Sequence, residues 1–300
     1  MTFTAFLLII SSATLHATWN LLAKKSKAAL PFYASACTVA TLVWVHCQFW
    51  TPVKIWSLPA MFWLMAAGSV VSDIVYATGL VRCYRKMEMS AAYPMMRSIP
   101  LLLTFSVTAL LGLGKPLTLT AVCGMLIVFV GCMMIPLKRL SDFKISGYFN
   151  KSMLFVLVVA CGTTGYTIFD SQAQFVIRET MPQISKPVVS MTYYSTRGLM
   201  LAAALWLITL LLRGERENVK SMIINRDWSA VFAGFAASGT YILVLLAMNY
   251  VSNVSYVQVF RQIGLLIGMA AGILILKEKF TLPKLAGVLL IIFGLVLTVI

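Results

Sequence analysis

The sequence contains few charged residues, and acidic residues are the scarcest of them. Of its 300 residues 11% are charged, and only 9 are Asp or Glu against 24 Lys and Arg. A soluble domain carries about 25% charged residues, so this chain lacks the charge that a fully hydrated surface requires. Hydrophobic residues make up 60% of the chain, and a run of about 20 such residues spans a bilayer as a helix. The composition therefore predicts an all-α membrane protein.

Side chains that bind metals or act as nucleophiles are also scarce. The chain has two histidines and six cysteines, and no two cysteines have the C-x-x-C spacing of a metal or redox site. The sequence has neither a nucleophile elbow nor a phosphate-binding loop. We therefore expect no catalytic residues, no metal site and no cofactor, and a membrane enzyme is the least favoured function. The cysteines lie in or beside apolar runs and are interpreted as packing residues.

The net charge of +15 does not indicate that the protein binds nucleic acid. Lys and Arg occur in short patches between apolar runs, and such patches are typical of cytoplasmic loops. Seventeen of them follow odd-numbered runs and four follow even-numbered runs. By the positive-inside rule the odd-numbered loops are cytoplasmic and both termini face outward. We expect a multi-pass protein of the cell membrane, with the bacterial inner membrane as its location.

Ten apolar runs are long enough to cross a bilayer as helices. Most connections between them are short, and the two longest, at 136–151 and 213–227, are polar and charged. The predicted spans are 2–23, 31–51, 59–81, 89–111, 117–135, 152–176, 187–212, 228–250, 254–276 and 283–300.

The second half of the chain resembles the first, because residues 90–135 can be laid over 254–298. The matched pairs include Arg97 with Arg261, Gly124 with Gly287, and Gly131 with Gly294. A duplication would give each half five spans, and an odd number inserts the two halves in opposite orientations. Inverted repeats of this kind are typical of secondary transporters, whose binding site lies near the bilayer midplane at the repeat interface.

This symmetry predicts the domain organisation. We expect a first five-helix repeat over 1–136, a cytoplasmic linker over 137–151 and a second five-helix repeat over 152–300. The repeated glycines are spaced by seven residues, so each pair lies on one helix face and permits close backbone contact. This packing would let the fifth and tenth spans meet, either within one chain or between two chains of a homodimer.

Several short motifs resemble a known family. They are Ala91-Ala92-Tyr93-Pro94 through Pro100, Trp19-Asn20 followed by Lys24, and Glu278 followed by Gly287 and Gly294. Together with the five-plus-five arrangement they resemble the drug/metabolite transporter superfamily, EamA type, over the whole chain. Segment 13–27 is similar to a branch associated with phosphonate utilisation. The first half departs from the second in having Lys115 where Glu278 stands. The resemblance implies an exporter or exchanger of metabolites.

Two arginines that the repeat matches are the first candidates for binding a substrate. Arg97 lies within the fourth span and Arg261 within the ninth, where a charge costs about 2.5–3.5 kcal/mol on insertion scales. A guanidinium can hold a carboxylate or phosphate group in a bidentate fork. In the alternative, each arginine pairs permanently with Asp73, Asp170 or a backbone carbonyl and holds helices together.

The acidic residues within the spans have two interpretations. Asp73 is near the centre of the third span, where it is a candidate proton carrier that would make transport proton-coupled. Its alternative role is a salt bridge to Arg97. Asp170 lies near the outer end of the sixth span and Arg197 in the middle of the seventh, and a structural role is favoured for both.

Polar residues on the first span form a further candidate group. His16, Trp19 and Asn20 lie within about one turn, and His16 and Asn20 share a helix face. A polar stripe that faced lipid would stay unsatisfied, so we expect these residues to line the cavity. The alternative is an interhelical hydrogen bond. His46 is expected at the membrane interface.

Tyrosine, glutamine and proline precede the two arginines. Tyr93 stands one turn before Arg97, and Tyr256 and Gln258 stand before Arg261. These three residues are predicted to line the cavity. Pro94 and Pro100 can kink or break the fourth span and free carbonyls for ligation, or the kink simply improves packing.

The sequence as a whole favours a carrier. We expect a secondary transporter that moves a small polar metabolite, anionic or zwitterionic, across the bilayer by alternating access. A channel or a non-transporting receptor is the alternative, but a filter segment or a charged ring, which a channel requires, is not apparent.

Overall fold

The computed structural model describes residues 1–25, 30–86, 89–137, 139, 141, 153–224, 228–276 and 281–300. The side chains of residues 16–25, 84–85, 89–93, 271–272 and 274–276 lie outside the described part of the structure. The regular structure of the described residues is entirely helical.

Thirteen α-helices are present in the described ranges. They are α1 (Phe3–Lys25), α2 (Leu30–Val45), α3 (Cys47–Trp50), α4 (Ala60–Lys86), α5 (Met89–Leu110), α6 (Leu119–Met134), α7 (Met153–Thr180), α8 (Lys186–Leu211), α9 (Arg213–Ile224), α10 (Ser229–Met248), α11 (Ser255–Phe260), α12 (Ile263–Leu276) and α13 (Leu282–Val299).

Six helical segments are long and apolar enough to cross a membrane. They are Leu30–Trp50, Ala60–Cys83, Met153–Thr180, Lys186–Leu211, Ser229–Met248 and Leu282–Val299. Three shorter apolar segments are Phe3–Leu15, Pro94–Leu110 and Leu119–Met134. Large apolar side chains such as Leu64, Leu207 and Phe232 are exposed on these helices, as expected of surfaces that face lipid. The prediction of an all-α multi-pass membrane protein is confirmed.

The helices pack in long antiparallel pairs. Helix α4 packs against α7, and α1 packs against α10. Helix α2 lies against α8, and α6 lies against α13. The pairs are close because small residues form the contacts. A Cβ atom on Gly162 of α7 would lie 2.6 Å from the Tyr76 nitrogen of α4, a distance that no side chain tolerates.

Glycines hold α6 and α13 in contact. A Cβ atom on Gly124 would lie 2.6 Å from the carbonyl oxygen of Gly294, and one on Gly131 would lie 2.8 Å from that of Gly287. Only residues without side chains allow this approach. The packing prediction for these four glycines is confirmed, and the contact occurs within one chain.

The ninth predicted span is broken, whereas the fourth is continuous. Helix α5 runs through Pro94 and Pro100 without interruption, while α11 ends at Phe260 and α12 begins at Ile263. The break has a side-chain cause. The Nε2 atom of Gln262 donates to the carbonyls of Gln258 at 3.1 Å and Arg97 at 3.0 Å, so a side chain competes for main-chain acceptors.

Two further features differ from the predicted spans. The second span is interrupted at His46, an exposed residue between α2 and α3 whose ring lies 6.1 Å from that of Trp50. The predicted loop at 213–227 contains helix α9, Arg213–Ile224, which has no buried residues. The sequence predicts a loop there because the segment is charged and lacks the continuous apolar run of a membrane span.

Candidate functional site

A cavity lies among the long helices of the bundle. The centre of a water-sized sphere can occupy about 180 Å³ of it, and one water molecule needs roughly 10–15 Å³ by this measure. The lining residues are Tyr33, Ala36, Cys37, Ala40, Thr41, Asp73, Tyr76, Ala77, Leu80, Met96, Arg97, Val159, Thr163, Tyr166, Tyr194, Arg197, Gly198, Leu201, Leu205, Ala237, Thr240, Tyr241, Gln258 and Arg261.

The cavity contains Arg97 and Arg261, which meet directly. The Nη2 atom of Arg97 donates a hydrogen bond of 2.5 Å to the main-chain carbonyl of Arg261. Gly264 leaves room for this contact, since a Cβ atom there would lie 3.2 Å from Arg97 Nη2. The Nη1 atom of Arg261 is 3.5 Å from Oε1 of Gln258. Arg97 thus reaches the carbonyl exposed where α11 ends.

A third arginine joins two carboxylates. The Nη2 atom of Arg197 lies 2.5 Å from Oδ2 of Asp73, and its Nε atom lies 3.1 Å from Oδ1 of Asp170. Asp73 therefore pairs with Arg197, where the sequence had suggested Arg97. The Asp73 side chain is 21% exposed and that of Asp170 is fully buried. Both carboxylates compensate the charge of Arg197.

Hydroxyl groups complete the coordination of Asp170. Tyr193 donates to its Oδ1 atom at 2.5 Å, and Ser69 and Tyr241 also donate to the carboxylate. A buried carboxylate is stable only when such donors satisfy it. The structural role expected for Asp170 and Arg197 agrees with this geometry, but Arg197 also lines the cavity.

Tyrosines form much of the cavity wall. The rings of Tyr76 and Tyr166 are 5.8 Å apart and perpendicular, and those of Tyr166 and Tyr241 are 6.0 Å apart. Tyr194 packs beside Tyr241 at 6.2 Å. None of these four tyrosines is among the predicted site residues. Their spacing carries no sign of the cluster, because they come from four different helices.

Four of the predicted site residues line this cavity, namely Asp73, Arg97, Gln258 and Arg261. Tyr256 does not, and packs against the hydrophobic core instead. Its position explains the difference, since residues three apart on a helix share a face and residues five apart do not. The remaining predictions fall on His16, Trp19, Asn20 and Tyr93, whose side chains lie outside the described residues.

A polar cluster joins α7, α8 and α10 near the helix ends that lie away from the cavity. Nδ2 of Asn249 donates to Oε1 of Gln174 at 2.7 Å and to Oγ of Ser190 at 2.9 Å. Nη1 of Arg178 donates to Oδ1 of Asn249 at 2.5 Å. These contacts join the helix ends opposite the cavity, whose lining extends to Tyr33 near the start of α2.

The cavity wall carries guanidinium groups, phenol hydroxyls and one partly exposed carboxylate. Among the described residues, no group of three or more His, Cys, Asp or Glu side chains is placed to hold a metal ion.

Comparison with known proteins agrees with the fold. A crystal structure of another protein superposes with a TM-score of 0.68, at 16% identity, over 99% of this chain and 96% of that one. No curated protein matches the sequence. The model of the EamA-like transporter family matches residues 151–300, which confirms the resemblance to the drug/metabolite transporter superfamily. The chain belongs to the EamA-like transporter family.

Proposed function

We propose that the protein is a secondary transporter that carries a small anionic or zwitterionic metabolite across the cell membrane by alternating access. The observation that carries the proposal is a cavity among membrane helices, with arginines in its wall and a closed, hydrogen-bonded opposite end. A continuous pore would be open at both ends, so this arrangement favours a carrier over a channel. Export or exchange is the direction that the family resemblance implies.

The proposed architecture is ten spans in two inverted five-helix repeats, with repeats at 1–136 and 152–300 and a linker at 137–151. The glycine contacts support it. In the sequence repeat Gly124 corresponds to Gly287 and Gly131 to Gly294, and the contacts join Gly124 to Gly294 and Gly131 to Gly287. A two-fold axis exchanges these two contacts.

The helix pairs support the same axis. If the first to fifth spans correspond to the sixth to tenth, the pair α4 with α7 corresponds to α10 with α1, and both pairs are in contact. The pairs α2 with α8 and α6 with α13 correspond to themselves, and both are also in contact. An accidental bundle has no reason to pack in corresponding pairs.

The proposed orientation places the end of the bundle that the cavity approaches on the cytoplasmic side. The cavity lining reaches Tyr33 in α2 and Leu205 in α8, near the start of α2 and the end of α8. In the sequence these helix ends adjoin the segments that follow the first and seventh predicted spans. These loops are among those that carry the excess of Lys and Arg. The bacterial inner membrane and outward-facing termini belong to this proposal.

We further propose that Arg97 and Arg261 bind the anionic group and that Asp73 carries a proton. Asp73 is suited to this role because it is the partly exposed member of the Arg197 pair, whereas Asp170 is sealed by hydroxyl donors. Among the nine proposed site residues, Gln258 lines the cavity beside Arg261. His16, Trp19, Asn20 and Tyr93 remain proposed substrate contacts.

The test is transport by the complete chain. Cells that overexpress it should release at least one metabolite faster than cells with the empty vector. The same metabolite should show saturable flux and counterflow in liposomes that contain the purified protein. Flux that does not saturate would identify a channel, and the absence of flux for every released metabolite would overturn the transport proposal.

A further inference from the structure

We infer that the transported solute carries one anionic group on an apolar body about the size of one ring. The inference rests on the proposed transport function and narrows its substrate class. Three independent properties of the cavity lead to it, namely the surroundings of Arg261, the tyrosine wall and the volume.

The first property is the difference between Arg261 and Arg197. Two carboxylates compensate the charge of Arg197, at 2.5 and 3.1 Å. Among the described residues, the groups beside the Arg261 guanidinium are the Gln258 amide and the hydroxyls of Tyr76, Tyr166 and Tyr241, and all of them are neutral groups. A cation among neutral groups in a membrane is costly until an anion pairs with it.

The guanidinium of Arg261 limits the number of anionic groups that can bind. Arg261 offers one planar fork, which matches one carboxylate, sulfonate or phosphate group. Arg97 has one donor committed to the Arg261 carbonyl, so it fixes the position of this fork. A second anionic group would share the cavity with the Asp73 carboxylate, which is partly exposed and also lines it. Repulsion there favours a solute with a single anionic group.

The second property is the aromatic wall beside the fork. Tyr76, Tyr166 and Tyr241 adjoin Arg261, and their rings contact one another at 5.8 and 6.0 Å with near-perpendicular planes. Such rings present faces and edges that bind another ring favourably. Met96 and Val159 extend the wall with apolar side chains. The anionic end and an apolar body therefore have adjacent places.

The third property is the cavity volume, which indicates the size of the apolar body. The cavity has a volume of about 180 Å³, while an engineered cavity of about 150 Å³ in another protein takes up benzene. One ring with a small charged substituent fills such a space.

Four sulfonate-based probes test the inference. Benzenesulfonate has one permanent negative charge and a ring, methanesulfonate lacks the ring, benzenesulfonamide lacks the charge, and benzene-1,3-disulfonate has a second charge. Affinities are measured with the purified full chain in detergent, by calorimetry and thermal shift. We expect benzenesulfonate to bind roughly tenfold or more tightly than methanesulfonate and benzenesulfonamide, since loss of a buried group costs at least this factor. Benzene-1,3-disulfonate should bind less tightly than benzenesulfonate, because its second charge meets the Asp73 carboxylate in the same cavity.

Each alternative result overturns a defined part. Equal binding of methanesulfonate would show that the ring is not recognised, and equal binding of benzenesulfonamide would show that the negative charge is not. Equal or tighter binding of the disulfonate would overturn the limit to one anionic group. If no sulfonate binds while the liposome assay detects flux of a different solute, the substrate class is wrong and transport stands. Failure of both assays instead overturns the proposed function.

A matched pair of variants locates the site. Arg261→Gln should abolish the preference for benzenesulfonate over benzenesulfonamide, because the glutamine side chain can still form hydrogen bonds but carries no positive charge. Arg82→Gln removes the same charge from an exposed position and should leave the preference intact. A preference that survives Arg261→Gln places the anion elsewhere. The wild-type probe series stays decisive even if a variant does not fold.

Discussion

The guanidinium of Arg97 donates a 2.5 Å hydrogen bond to the main-chain carbonyl of Arg261, at the break between α11 and α12. The two residues are matched by the sequence repeat, and each is intramembrane in the predicted spans. A side chain of the first half thus stabilises the irregular backbone of the second half. Irregular backbone inside a membrane persists only where protein groups satisfy it.

Replacing Arg261 with Leu should abolish most substrate binding while the protein still folds. A hydrogen bond to a charged group contributes about 1.5–3 kcal/mol, and each 1.4 kcal/mol is about tenfold. We expect the affinity for the released metabolite to fall roughly 10- to 100-fold, measured as half-saturation in liposomes. Arg82→Leu is the exposed control. Unchanged half-saturation in Arg261→Leu would remove this residue from the site.

Replacing Arg97 with Leu separates positioning from ligation. If Arg97 positions the Arg261 backbone, its loss removes one neutral-acceptor hydrogen bond. The Arg261 carbonyl still accepts from the Gly264 nitrogen at 3.1 Å. The affinity should then fall by less than in Arg261→Leu. An equal or greater loss would mean that Arg97 binds the anion as strongly as Arg261 does and that its hydrogen bond to the Arg261 carbonyl contributes little.

Removal of Arg197 should destabilise the protein rather than merely impair transport. Arg197→Met leaves Asp170 fully buried without its cationic partner, and breaking a buried pair in this way costs about 3–5 kcal/mol. Thermal unfolding in detergent should occur at a clearly lower temperature. Adding Asp73→Asn and Asp170→Asn should recover much of the loss, because no charge then remains unpaired. Equal stability of Arg197→Met and wild type contradicts the buried ion pair.

The pH dependence of flux tests Asp73 as the proton carrier. The Asp73 carboxylate interacts electrostatically with titratable groups on three neighbouring helices, namely Arg197 and Tyr194 of α8, Cys37 of α2 and Asp170 of α7. An imposed pH gradient should change flux through the wild-type protein and have no effect on Asp73→Asn. If the variant remains sensitive to the gradient, Asp73 does not carry the proton and His16 is the remaining candidate.

The sequence predicted what depends on one helix at a time. Apolar runs located the long helices, and the repeat identified the glycines that join α6 and α13. The sequence did not predict that Arg197 binds Asp73, because the sequence of one helix does not indicate which other helix packs against it. The break at Arg261 was equally hidden, since it arises from the Gln262 side chain and not from proline.

The contact between α6 and α13 makes a prediction with a close internal control. A Cβ atom on Gly294 would lie 2.6 Å from the Gly124 oxygen, whereas one on Gly268 of α12 meets nothing within 4 Å. Gly294→Ala should therefore push the helices apart and cost roughly 1–3 kcal/mol by overpacking. Gly268→Ala should be neutral or slightly stabilising, because Ala favours a helix by up to about 1 kcal/mol over Gly.

Thermal unfolding of both variants in detergent measures the difference. The two substitutions are chemically identical, so helix propensity acts equally on each and only the contact differs. A lower unfolding temperature for Gly294→Ala alone supports direct backbone contact between the fifth and tenth predicted spans. Similar unfolding temperatures would mean that these helices separate freely, and the two-fold glycine contact could not then hold the two halves together.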